Sequence, residues 1–195
     1  LDNTDLRTGV NLVKKYSPVT GRLGAVWSPS DALSLYGQFG TGTDPLSGAL
    51  SLPGGGNHWM RNLELSPDGK KLYVAVGSAS NIGEDGMAIE KGRAAIWEID
   101  LASGGSRQFA GGMRNPNGMD WNPSTGELWS TVQERDMLGP DLVPDYLTNV
   151  PIGVQYGWPW VYWRDVMDWR VKDPMPEFLS EYSRKPEYAL GAHVS

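Results

Sequence analysis

The sequence predicts an all-β fold, a run of short strands gathered into about two to three four-stranded blades and preceded by a β-hairpin segment. Three observations carry this. The 195 residues include 25 Gly, 14 Pro and 9 Trp, a composition of many strands and tight turns rather than helices. Apolar residues alternate with a period of two in several stretches. And six positions recur at a fixed offset: Leu63, Leu65, Pro67, Leu72, Tyr73 and Val76 return as Met119, Trp121, Pro123, Leu128, Trp129 and Val132, each 56 residues on.

In chain order, the first element is a hairpin: Arg22-Leu-Gly-Ala-Val-Trp27, a turn at Ser28-Pro-Ser-Asp31, then Ala32 to Phe39. Leu33, Leu35 and Phe39 fall on one face, and Ser34, Tyr36 and Gln38 on the other. A soluble hairpin and a strand pair of an outer-membrane barrel read alike here. The first repeat copy follows, with Asn62 to Ser66 as a strand, Pro67-Asp-Gly69 as the turn and Lys71 to Val76 as the next strand. Ala94 to Asp100 reads as a third strand, and Ser106 to Ala110 as a fourth after the Ser103-Gly-Gly105 turn. The second copy repeats the hairpin around Pro123-Ser-Thr-Gly126. Four strands per repeat is the grammar of a propeller blade.

Bulk properties exclude several roles. Seventeen basic residues against 23 acidic ones, with no block of like charge, leave no footprint for nucleic acid or an anionic membrane. The lack of cysteine removes disulfides, thiolate metal sites and thiol nucleophiles. No apolar run reaches the roughly 18 residues of a membrane-spanning helix, and no leader pattern is legible from Leu1. Gly-x-Ser-x-Gly, Walker, His-Glu-x-x-His and Rossmann motifs are all missing. Gly54-Gly-Gly56 reads as a flexible turn.

Chemistry concentrates at the strand entrances. His58 precedes the first blade strand beside Trp59 and Arg61, where a neutral imidazole can take a hydroxyl proton or merely bond to backbone. Arg114-Asn115 stands at the equivalent entrance one repeat later. A guanidinium fork and an amide suit a polyanionic quinone or carboxylated sugar, or else cap a turn. Gln133 to Asp136 and Asp141 to Asp145 offer oxygen ligands of the kind calcium prefers, or are solvated acidic loops. Tyr156 to Trp163 is aromatic enough to line a sugar cleft or to pack. The second histidine, His193, lies near the end of the chain.

Two resemblances organise these residues. Gly21 to Tyr36 and Thr41-Gly-Thr-Asp-Pro45 resemble a segment of TonB-dependent outer-membrane receptors, which makes residues 1–50 a receptor-like hairpin segment. Asn57 to Leu63, Ser66 to Val74, Gly77-Ser-Ala-Ser-Asn81, Gly92 to Trp97, Arg114-Asn-Pro116, Asp141 to Tyr146 and Tyr156-Gly-Trp-Pro159 resemble, in order, the PQQ-dependent glucose/sorbosone dehydrogenase family, nearest to L-sorbosone dehydrogenases.

Over residues 51–195 that second resemblance implies part of a six-bladed periplasmic propeller binding PQQ and calcium. It makes His58 the catalytic base towards a sugar or aldehyde hydrate, Arg114 and Asn115 quinone ligands, and the backbone carbonyls near Glu134 and Arg135 the metal ligands. A small sugar or aldehyde and an electron acceptor would be the partners. Asn57 and Glu134-Arg135 depart from the Asp and the Gly-Pro of the soluble glucose enzymes. Two other readings compete with a dehydrogenase: a catalytically silent propeller portion, and part of a TonB-dependent receptor.

Overall fold

The computed structural model describes residues 56–58 and 61–194, and the backbone of four strands before them, at 2–4, 11–13, 22–30 and 33–40. Gly54, Gly55, Trp59 and the Thr41 to Pro45 motif lie outside the described residues. The chain forms two compact units, Leu1–Leu52 and Pro53–Ser195.

In the first unit, β1 (Asp2–Thr4) pairs antiparallel with β2 (Asn11–Val13). The expected hairpin is present as β3 (Arg22–Ser30) and β4 (Leu33–Gly40), in register from Arg22 opposite Gly40 to Trp27 opposite Leu35. One expectation needs correction. Of the turn assigned to Ser28 to Asp31, Ser28 to Ser30 belong instead to β3, which runs on through a register shift between Trp27 and Ser30, and Asp31 lies outside the described residues. Such an irregularity lets a strand carry Pro29, which has no N–H to give to the ladder.

The second unit contains two four-stranded antiparallel sheets. The first has the order β5 (Leu63–Leu65), β6 (Lys71–Val76), β7 (Ala95–Asp100), β8 (Ser106–Gly111), so chain neighbours are sheet neighbours. Its first turn forms for a local reason. Asp68 Oδ1 accepts from Ser66 Oγ at 2.6 Å and from Lys70 N at 3.1 Å, and Gly69 takes φ +68°, a conformation that costs glycine nothing. The second sheet has β9 (Asn115–Trp121), β10 (Leu128–Gln133), β11 (Pro144–Asn149) and β14 (Tyr188–Ala192), in the order β14-β11-β10-β9. Between β11 and β14 the chain makes an excursion through β12 (Val161–Tyr162), a single 3-10 turn at Trp163–Asp165, β13 (Val166–Met167) and one turn of helix, α1 (Leu179–Tyr182). Among the described residues no helix is long and apolar enough to cross a membrane.

The core lies between the two sheets. Tyr73, 4% exposed, meets Phe109 and Trp121 edge to face, with ring centroids 5.0 and 5.2 Å away, the geometry that aromatic quadrupoles favour. Leu128, Val132 and Tyr146 close the cluster from the second sheet. Trp121 Nε1 donates to the Leu65 carbonyl at 2.6 Å, so two residues at equivalent repeat positions join one blade to the next. This stacking brings the chain segments that leave β6 and β10 to the same end of the unit.

Candidate functional site at the shared blade end

His58 is fixed by the turn after β6. Its Nδ1 lies 3.0 Å from the Ser78 carbonyl and 3.0 Å from Ser78 Oγ, whose own proton goes to the Ser80 carbonyl at 2.6 Å. A carbonyl only accepts, and this hydroxyl has already donated, so the ring proton belongs on Nδ1. Nε2 then carries the lone pair. Burial, followed by the nearby Arg114 guanidinium, pushes the His58 pKa below its ordinary value near 6.5, so the ring is neutral at neutral pH with its lone pair available. Gly77 makes room for this. A Cβ there would stand 2.5 Å from His58 Cβ and 2.3 Å from Asn115 Oδ1, closer than atoms pack. The absent side chain thus lets the two residues flank one backbone position.

Arg114 enters from the head of β9 and is 2% exposed. Its Nε donates to the Asn81 carbonyl at 3.2 Å, Nη1 to the Glu134 carbonyl at 2.7 Å and Nη2 to Asp136 Oδ2 at 2.7 Å. Each Nη carries a second N–H. Asn115 Nδ2 donates to Gln133 Oε1 at 3.1 Å. The turns after β6 and β10 are tied together directly: Asp136 N donates to Asn81 Oδ1 at 2.8 Å, and Asn81 Nδ2 to the Asp136 carbonyl at 3.2 Å.

His58, Arg114 and Asn115 therefore lie together at this end of the unit. Glu134 and Arg135 follow β10 and are 3% exposed each. The Glu134 carbonyl serves Arg114, its N–H donates to Asp145 Oδ1 at 2.9 Å, and burial raises its carboxyl to about 7. The Arg135 guanidinium pairs with Asp168 and donates to the Asp136 carbonyl. Among the described residues no group of three or more His, Cys, Asp or Glu is placed to hold a metal ion.

Two further members complete the site: Asp136, which the sequence offers only as a possible calcium ligand or part of a solvated acidic loop, and His193, to which it assigns no role. Asp136 is the ionic partner of Arg114, and His193 Nδ1 lies 3.3 Å from its other oxygen, Asp136 Oδ1. Asn81 and Asp136 stand 55 residues apart, close to the repeat offset, which is a signal that marks them as equivalent turns. His193 carries none. It reaches the site because Asp145, one carboxylate oxygen on Glu134 N, takes Val194 N on the other at 2.8 Å. The acidic loop reading fails for Asp145, which is 1% exposed within β11. A buried carboxylate accepting two backbone N–H groups closes a turn; it is not solvated. Tyr156 and Trp158 are 5% and 4% exposed, and Trp158 Nε1 donates to the Asn81 carbonyl at 3.0 Å, so this part of the aromatic run packs under the site.

Comparison with known proteins supports the architecture. The chain superposes on a Trichoderma reesei carbohydrate-active enzyme of family AA12 in its calcium structure with a TM-score of 0.61, at 21% identity over 72% of this chain and 45% of that one. It superposes on the holo form of the PQQ domain of a Coprinopsis cinerea pyranose dehydrogenase with a TM-score of 0.55, at 20% identity over 70% and 44% of the two chains. The fold is that of part of a β-propeller. The chain spans less than half the length of these solved structures. An uncharacterised protein of Borreliella burgdorferi is 25% identical over 142 residues, 71% of this chain and 35% of that protein. No protein-family model matches.

Proposed function

We propose that the chain works as part of a PQQ-dependent sugar or aldehyde dehydrogenase of the glucose/sorbosone type, in a bacterial periplasm. The observation that carries this is the neutral His58, its ring pinned through Nδ1 on Ser78 so that Nε2 carries the lone pair, next to a buried Arg114 and Asn115 across the gap at Gly77. The similarity to PQQ-binding and calcium-binding propellers supports the same reading.

The residues fit the quinone in chemistry. PQQ is a tricarboxylate, and Arg114 offers N–H groups beyond those already used, with an amide beside it. When bound, PQQ supplies a hydride acceptor. His58 Nε2 takes the hydroxyl proton of the substrate hydrate or lactol, and the Nδ1–H bond to the Ser78 carbonyl steadies the imidazolium that forms. Burial of Arg114 keeps its charge little screened. Calcium is assigned to the Glu134 and Arg135 carbonyls. The former already accepts from Arg114 Nη1 at 2.7 Å, so calcium would take its second lone pair.

The test is dye-linked oxidation of L-sorbosone and of glucose by the purified chain with PQQ and calcium. A PQQ-dependent rate that falls at least ~100-fold in His58→Ala, the scale of general-base loss, supports the proposal. A rate that does not rise on adding PQQ contradicts it. The engaged Glu134 carbonyl favours a second reading, a silent propeller module, whose mark is a folded chain that takes up no quinone.

A further inference from the structure

We infer that Asp136 is an internal stand-in for the carboxylate that Arg114 receives, and so sets which anions the site admits. This rests on reading Arg114 as an anion-binding group. The ion pair is unequal: the Arg114 side chain is 3% exposed and that of Asp136 is 45% exposed. Arg114 does not need Asp136 for its orientation, because the Asn81 and Glu134 carbonyls hold Nε and Nη1. The Asp136 backbone is pinned at both ends to Asn81, leaving only the solvent-facing carboxylate to turn. A second partner is already in reach. His193 Nδ1, 3.3 Å from Oδ1, can keep the carboxylate once Oδ2 has left Nη2.

The consequence is selectivity by competition. A tethered carboxylate presents itself to Nη2 at a high effective concentration, so a free monoanion such as acetate, with no further contacts, does not dislodge it. A ligand bearing two or three carboxylates engages Arg114 in bidentate fashion and gains contacts elsewhere, and it does. The apparent affinity of every anion is lowered by the fraction of Arg114 that Asp136 leaves open. Asp136 is thus a specificity-determining residue for polycarboxylates.

The test is calorimetry on the whole chain with pyridine-2,6-dicarboxylate and with acetate, for wild type, Asp136→Asn, Asp136→Ser and Arg114→Ala, with thermal melts to confirm folding. The expected result is dicarboxylate binding in wild type that is lost in Arg114→Ala and tightened at least ~tenfold in Asp136→Asn and Asp136→Ser. Acetate, silent on wild type, becomes measurable on both Asp136 variants. Dicarboxylate binding that depends on Arg114 but is unchanged or weaker in folded Asp136→Asn and Asp136→Ser overturns this inference and leaves the anion site standing. Binding by none of the proteins overturns both.

Discussion

Replacing Gly77 by alanine tests whether the His58 to Asn115 gap is built for close approach. The new Cβ would lie 2.3 Å from Asn115 Oδ1 and 2.5 Å from His58 Cβ. Ordinary contact begins near 3.4 Å, so each neighbour must retreat by about an ångström. His58 Cβ sits at the root of its side chain, and Asn115 is 7% exposed and bonded to Gln133. Neither retreats freely. Overpacking of this kind costs about 1–3 kcal/mol, and at roughly 2–4 °C per kcal/mol for a chain of this size the melting temperature should fall by about 2–12 °C. Moving His58 also breaks its contact with Ser78, so the hydrogen-bonded Nδ1–H signal in a 15N-labelled spectrum should disappear. Gly105→Ala serves as the control, since its Cβ would meet only Ser103 Oγ, at 3.3 Å. A Gly77→Ala protein that melts within about 1 °C of wild type and keeps the Nδ1–H signal would show that the gap tolerates a side chain.

Glu134→Gln should stabilise the protein above pH 7: a carboxyl raised from 4.5 to about 7 costs nothing below pH 4.5, and that cost grows through the window to reach ~3 kcal/mol at about 1.4 kcal/mol per unit. Denaturant melts at pH 4 and 8 check it, with the gain confined to pH 8. His58 has its folded pKa below 6.5, so it binds fewer protons folded than unfolded, and stability falls as pH drops from 6.5 towards the lowered value. His58→Gln should flatten that slope, and Arg114→Ala should raise the His58 pKa in an NMR titration. Trp121→Phe deletes the interblade bond to the Leu65 carbonyl while keeping an aromatic ring on Tyr73, and should cost about 1 kcal/mol in urea melts.

Most of the blade architecture is legible in the sequence because it is local. The 56-residue repeat, the Asp68 and Gly69 turn and the alternation of Lys71 to Val76 each act over a few residues, and β6 occupies the expected span. Placing His58, Arg114 and Asn115 at one end follows from equal repeat positions. What escapes is long-range. Strand β14 joins β11 only after the excursion through α1, and no periodicity in Pro151 to Glu187 announces which segment will be the outer strand. The His193 to Asp136 contact depends on that strand and on the buried Asp145, whose burial is invisible in an acidic run. Ser28 to Ser30, read as a turn, became strand because a bulge accommodates Pro29.

Arg114 and Asn115 are proposed to hold a quinone beside His58. Titrating the chain with PQQ in the presence of calcium, while following the quinone absorbance, tests it most directly. The expected result is saturable binding in the wild type that is lost in Arg114→Ala. Absence of saturable binding, or binding of equal strength in the Arg114→Ala protein, would contradict it.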